Sequence, residues 1–428
     1  MQELFRTRIA KNATWIIVCK GIQAVLGLVV TMLTARLYGP GNYGAITYAA
    51  SLTLFLTPVA QLGFTSTLVG ELVAPPGDEG EILGSAIAAS IVSGALCVLG
   101  IWTFTRLTLP GEPGTVLVCV VYSLSLLTQG AELIQYWFQA KLLSKYVAVL
   151  TLIAYALISA YQLVILLTGS NMALYAASKA IEYALIAAGL LAVYRRLGGG
   201  RLRASLKRGL ALVKRGGYYL LSGLMVMLLG QTDRIMIVNM LGETEMGLYS
   251  AAVVGANLTE FVFLALIDSF RPSILVARER DTGAYETQMA RLYAIVIYLA
   301  LLQSAVVAIF AEPIIVLLYG QAYRESAGIL RLLVWYSAFS YIGSARLIWI
   351  YAENKQRLLC LLNLLGALCN ILLNWTLIPR WGVRGAAFAS LVTQAFANVL
   401  LGWLLPQIRP NQAILMRAVR LCGLWSKK

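Results

Sequence analysis

The residues that could do chemistry in this chain are charges and amides set inside long apolar runs. Lys20, Lys179, Arg234, Arg331 and Arg346 stand there, opposed by Glu132, Glu182, Asp233, Glu260 and Asp268. A Lys, Arg or Asp at the centre of a spanning helix costs about 2.5–3.5 kcal/mol on insertion scales, so such a group needs a partner or a wet cavity. In the first run Lys20, Gln23, Gly27 and Thr31 recur at three- and four-residue spacing, which puts them on one helix face. Gln129, Glu132, Tyr136 and Gln139 do the same in the fourth run. Lys179 and Glu182, three apart in the sixth, are spaced to neutralise each other, whereas the adjacent Asp233 and Arg234 cannot meet face to face. Asn257 and Glu260 mark the eighth run, Asn363, Asn370 and Asn374 stripe the eleventh, and Gln394 and Asn398 mark the twelfth. Such a set offers cations to an anionic ligand and amides to hydroxyls. The amide stripes equally suit hydrogen bonds between helices with no ligand at all. Lys20 has no acidic residue within four positions, so a neighbour on its own helix does not neutralise it.

What is missing narrows the chemistry further. The chain has no histidine, which removes imidazole acid–base work, Ser-His-Asp and Cys-His nucleophiles, and most zinc sites. The six cysteines (19, 97, 119, 360, 369 and 422) lie mostly in apolar runs without a C-x-x-C spacing, and read as small buried hydrophobes. No catalytic residue, metal or cofactor is expected.

The elements that position these groups follow from composition. Of 428 residues 60% are hydrophobic and 12% charged, and the mean hydropathy is +0.78. A soluble domain has about 25% charged residues, so the chain belongs in a bilayer. About 20 apolar residues cross about 30 Å of hydrocarbon, and twelve stretches qualify: 14–37, 44–66, 82–105, 115–138, 147–168, 172–194, 217–240, 247–269, 290–311, 328–350, 358–378 and 384–405. The runs are continuous rather than alternating, which excludes a barrel. With the N-terminus in the cytoplasm, inside segments hold 24 of the 34 basic residues and outside loops five, and both termini are expected inside. That bias accounts for most of the +15 net charge without nucleic acid. Tyr and Trp near the run ends (Trp15, Trp102, Trp137, Trp349, Trp381) read as interfacial anchors.

Near mid-chain, Arg195 to Arg215 carries eight basic residues and no acidic one, a linker suited to an anionic leaflet. A shift of 203 residues lays Lys11, Leu26, Gly27, Gly39, Gly44 and Ala49 on Lys214, Leu229, Gly230, Gly242, Gly247 and Ala252. The expected fold is all-α and polytopic: a six-helix bundle at 1–194, a basic linker at 195–216, a second bundle at 217–405 and a cytoplasmic tail at 406–428. An even helix number per half makes the repeats parallel.

Several motifs carry a resemblance. Asn12-Ala-Thr-Trp15 through Lys20 to Ala35-Arg36-Leu37-Tyr38-Gly39-Pro40-Gly41-Asn42-Tyr43-Gly44 resembles the N-terminal signature of polysaccharide and O-antigen flippases. These are Wzx-type proteins of the MATE-like MOP superfamily. Gln135-Tyr136-Trp137-Phe138-Gln139-Ala140, Asp233-Arg234-Ile235-Met236, Gly247-Leu248-Tyr249-Ser250-Ala251-Ala252, Leu318-Tyr319-Gly320 and Trp381-Gly382-Val383-Arg384-Gly385 continue it in order, from about residue 9 to 405. The resemblance implies two six-helix bundles rocking about a central cavity. It implies movement of a polyprenyl-diphosphate-linked oligosaccharide from the inner to the outer leaflet of the inner membrane, with glycan polymerase and assembly proteins as partners. It transfers no catalytic residues. The expected substrate contacts, taken from the residues themselves, are Lys20, Gln23, Lys179, Arg234, Arg331, Arg346, Asn363 and Asn370, with Glu132 and Glu260 as ion-coupling candidates. A drug or metabolite/cation antiporter of the same fold is the second reading, and a membrane-embedded glycan polymerase the third; the longest loops are too small and basic for the latter.

Overall fold

In the computed structural model the described residues are 2–73, 78–169 and 171–420, with side chains from Val18 onward. The Pro75-Pro76-Gly77 turn, the end of the tail with Cys422, Lys427 and Lys428, and the side chains of Arg6, Arg8, Lys11 and Trp15 lie outside them. The described chain forms α1 (Gln2–Ala60), α2 (Phe64–Val73), α3 (Glu79–Thr108), α4 (Pro113–Ser123), α5 (Ser125–Glu132), α6 (Gln135–Ala140), α7 (Ser144–Thr168) and α8 (Met172–Arg196). After the linker come α9 (Leu206–Leu241), α10 (Glu243–Ala256), α11 (Glu260–Arg280), α12 (Thr282–Ile309), α13 (Ala311–Tyr319), α14 (Ser326–Ala352), α15 (Arg357–Ala395), a π-helical segment (Phe396–Leu400), α16 (Leu401–Leu404) and α17 (Arg409–Val419). The protein is an all-helical, polytopic membrane protein.

Eight of these stretches are long and apolar enough to cross a bilayer, or nine when the pair α10–α11, bent by 42°, counts as one span. Two of the eight run for 56 and 48 residues, about 84 and 72 Å of helix against about 30 Å of hydrocarbon. The first is interrupted at Gly39 (φ 74°, ψ 174°) and again at the Leu62–Gly63 turn between α1 and α2, the second at Gly382 (φ 57°, ψ −142°). Gly242 (φ 98°, ψ −178°) and Gly320 (φ 89°, ψ 178°) turn the chain in the same way ahead of α10 and the turn before α14. A Cβ is strained at such positive φ, so all four turns need glycine. Gly39 and Gly242 are the pair that the 203-residue shift superimposes.

Elsewhere the helices depart from unbroken spans. Residues 115–138 split into α4, α5 and α6, and the joint beside Glu132 is closed by long three-residue bonds, Leu133 N to Gly130 O at 3.4 Å and Ile134 N to Ala131 O at 3.5 Å. Mid-span tightening of this kind recurs at hinges. The stretch 247–269 breaks at Asn257–Thr259, which puts Glu260 on the first turn of α11.

The chain divides into two compact units, Met1–Met227 and Leu228–Lys428, the division falling within α9. In the first unit Phe64, Leu68, Leu72, Trp137, Phe138 and Tyr194 belong to one buried cluster. The basic linker is tied to the start of α3. Arg203 N donates to Gly80 O at 3.1 Å, Ser205 N to Ser85 Oγ at 2.9 Å, and Tyr194 Oη to Gly200 O at 2.8 Å. Glu79 beside it accepts from Trp137 Nε1 and Lys141 Nζ, each at 2.6 Å. In the second unit α11, α12, α14 and α17 share a core in which Phe263 stacks on Tyr341 with centroids 4.0 Å apart. Of the residues after 406, Arg409–Val419 thus fold as α17, whose Asn411, Gln412, Ile414, Leu415 and Ala418 are buried.

Candidate functional site

The polar face of α1 is positioned by two contacts. Thr34 Oγ1 lies 2.7 Å from Tyr175 Oη of α8, and Gly27 stands directly against the Tyr155 hydroxyl of α7. Lys20, Gln23, Gly27 and Thr34 lie within about 60° of one another around a helix of 3.6 residues per turn, so the face carrying Lys20 looks toward α7 and α8. Gln162 Nε2 donates to Ser178 Oγ at 2.7 Å and Gly189 stands against Leu150, so Tyr155 of α7 lies near the level of Glu182, and α8 runs antiparallel to α1.

That register sets the depths. From the Thr34–Tyr175 level, at 1.5 Å per residue, Lys179 lies about 6 Å and Glu182 about 10 Å along α8, while Lys20 lies about 21 Å back along α1. Lys179 Nζ is 2.8 Å from Glu182 Oε2; the Glu182 side chain is 8% exposed and that of Lys179 30%. The Tyr183 ring stands 5.4 Å from the ammonium. Glu132 is half-buried, and the charges acting on it are those of Glu182 and Lys179. Lys179 and Glu182 thus neutralise one another. Lys20, about 10 Å farther along, is exposed and makes no ion pair or hydrogen bond among the described residues. Gln23 is half-buried beside it.

The candidates of the second unit divide differently. Asp233 is buried and accepts hydrogen bonds from Tyr249 Oη and from Ser390 Oγ, the latter at 3.2 Å; the Arg234 guanidinium reaches Gln231 Oε1 at 3.3 Å instead. Asn370 accepts from Asn374 Nδ2 at 2.9 Å, leaving Asn374 Oδ1 buried and unsatisfied. Asn363 is half-buried, Glu260 is exposed, and Arg331 is exposed with Nε 3.4 Å from Ala308 O.

Arg346 is 2% exposed. Its guanidinium donates to Asn411 Oδ1 at 3.2 Å, to Ala397 O at 3.3 Å and to Asn398 O. The last two carbonyls belong to the π-helical segment, and Asn411 Nδ2 donates in turn to Tyr293 Oη at 2.8 Å. The fork therefore ties α14, the π segment and α17 together, a role that residue type alone does not disclose because Asn411 is 65 residues away. Lys cannot span three acceptors, and each orphaned buried acceptor costs about 1–3 kcal/mol. Arg346→Lys is expected to lose at least about 2 kcal/mol of stability, read as a lower unfolding midpoint in detergent; an unchanged midpoint would show the clamp to be idle.

The sequence pattern of the polysaccharide biosynthesis protein family matches residues 9–267, well over half of the chain. The chain belongs to that family. One relative of this polysaccharide biosynthesis protein is the succinoglycan biosynthesis transport protein ExoT of Rhizobium meliloti (strain 1021). It is 25% identical over 262 residues, 60% of this chain and 52% of that protein. The chain thus spans about half the length of that relative. Among solved structures, the lipid II flippase MurJ in an inward closed conformation aligns with a TM-score of 0.73 at 13% identity, covering 96% of this chain and 93% of that one. An inward-facing multidrug resistance MATE family transporter of the MOP superfamily aligns at 0.67 and 15%, covering 92% and 96%. A MOP superfamily transporter from Pyrococcus furiosus aligns at 0.61 and 14%, covering 96% of each. At such identities these structures show a shared fold.

Proposed function

We propose that this protein flips a polyprenyl-diphosphate-linked oligosaccharide from the inner to the outer leaflet by alternating access. The observation that carries the reading is the inequality of the two lysines of the first unit. Lys179 is held by Glu182 at 2.8 Å and is neutralised there, so it offers no free charge to a diphosphate. Lys20 is exposed, has no ion pair or hydrogen bond among the described residues, and lies on the α1 face that looks toward α7 and α8, so an anionic headgroup meets an ammonium free to accept it. Gln23, half-buried on the same face of α1, supplies an amide for a sugar hydroxyl. The family membership and the flippase and transporter relatives support the substrate class and the absence of catalysis.

The test is reconstitution. Proteoliposomes carrying a fluorescent undecaprenyl-diphosphate-linked glycan on one leaflet are expected to expose it to an impermeant lectin on the other side only when the protein is present. Equal exposure in empty liposomes would sink the proposal. The Glu132–Glu182 pair favours a second reading, cation-coupled antiport, which proton-driven dye efflux lost in Glu132→Gln would support.

Twelve crossings with both termini in the cytoplasm of the inner membrane complete the proposal, on the 24-to-5 bias of basic residues. Reporter fusions after Gly198 and Asn171 are expected to read inside and outside respectively. The reversed pair of signals would overturn the orientation.

A further inference from the structure

The second unit holds a cavity of about 430 Å³ between the Gly242 and Gly382 turns, lined by Glu245, Glu325, Arg384 and Trp381 over an apolar floor that includes Leu248 and Ile329. Its volume falls within the roughly 300–1,000 Å³ of small-ligand sites. The charged side chains of Glu245, Glu325 and Arg384 make no hydrogen bond or ion pair among the described residues. Yet nearby Arg324 Nε and Glu312 Oε1 pair at 2.8 Å, so acid–base pairs do form at this end where geometry allows. Arg384 lies along Gly328, where a Cβ would come within 3.2 Å of Nη2; glycine there leaves the guanidinium its place on α14. Trp381 is 56% exposed and rests edge-on against Phe388, with centroids 5.6 Å apart.

We propose that this cavity docks a neutral hexopyranose unit, with Glu245, Glu325 and Arg384 on its hydroxyls and Trp381 against its apolar C–H face. Carboxylates accept charge-assisted hydrogen bonds from vicinal hydroxyls, a guanidinium donates to hydroxyl or ring oxygens, and an indole offers a flat apolar surface. Two carboxylates against one guanidinium leave a net negative charge, which disfavours a uronic acid or a phosphate. A divalent cation is poorly served, because Ca²⁺ wants six to eight oxygens and the guanidinium beside them repels it. The site therefore reads the glycan, while the diphosphate is held elsewhere.

This inference rests on the flippase reading for the source of the sugar, but binding of a free glycoside tests it separately. Saturation-transfer NMR on the full-length protein in lipid nanodiscs, with methyl β-D-glucopyranoside and methyl β-D-galactopyranoside as probes, is expected to show contact with the wild type. The signal should fall about tenfold in Trp381→Ala and in Glu245→Gln/Glu325→Gln. It should persist in Trp381→Tyr, which keeps an aromatic face, and in Trp375→Ala, which alters a residue 70% exposed and outside the cavity. Absence of signal in the wild type, or a signal indifferent to both pocket variants, overturns the site. Translocation measured in parallel separates the two claims. Flipping without glycoside contact sinks the pocket alone, and glycoside contact without flipping sinks the flippase reading alone.

Discussion

Lys20→Gln is expected to insert and accumulate normally, yet to lower translocation of the lipid-linked glycan by about tenfold to a hundredfold. A hydrogen bond to a charged group contributes about 1.5–3 kcal/mol, and 1.4 kcal/mol is a factor of ten. Stability should hold, because the side chain is exposed and has no partner among the described residues to strand. If Lys20 merely neutralised Glu182, the double variant Lys20→Gln/Glu182→Gln would restore export. The roughly 10 Å between their levels, and the prior engagement of Glu182 by Lys179, predict that it will not. Full export by Lys20→Gln would remove this residue from the mechanism.

The second large effect is on folding. Removing Lys179 alone leaves Glu182, whose side chain is 8% exposed, without its cation. Breaking a buried pair from one side costs about 3–5 kcal/mol, and the partial exposure of Lys179 puts Lys179→Gln toward the lower figure. Replacing both members, Lys179→Met with Glu182→Gln, should regain most of the loss, since neither charge is then stranded. Unfolding midpoints of the purified variants check this. A single variant as stable as the wild type would show that the pair has no structural role, and a stable double that still flips glycan would show that its role is structural alone.

How far the sequence foretells this arrangement depends on the range of each interaction. Most of the length of each of the twelve apolar runs lies on helix, because hydropathy and Gly39, Gly242 and Gly382 are local signals, although 44–66, 115–138 and 247–269 are broken within. The contact between Lys179 and Glu182 is equally local, a three-residue spacing on one helix. The length-and-apolarity count nonetheless reaches only eight or nine: α1 and α15 each carry two runs through a glycine turn, α10–α11 is bent, and α14 does not qualify. Interactions that depend on chain separation were not legible. Arg346 reads as a free cation until Asn411 and the π-segment carbonyls are found around it. Asp233 gives no hint that Tyr249 and Ser390 converge on it, the latter from 157 residues away. Lys20 stands out in the sequence for want of acidic neighbours, but only the Gly27–Tyr155 and Thr34–Tyr175 contacts say which way it faces.

The tethered linker bears on how the protein meets a protease. Eight Lys and Arg residues between Arg195 and Arg215 are cleavage sites by composition, and most are exposed. Trypsin needs a stretch of backbone it can pull out and extend, and here the backbone at Gly200, Arg203 and Ser205 is fastened to Tyr194, Gly80 and Ser85. Cutting at this linker should then be slow in the folded protein, and paced by how often the strap lets go rather than by the number of basic residues on it. Ser85→Ala together with Tyr194→Phe removes two of the fastenings without touching a cleavage site. The rate at which that variant is nicked, relative to the wild type, becomes a clock for the strap's release.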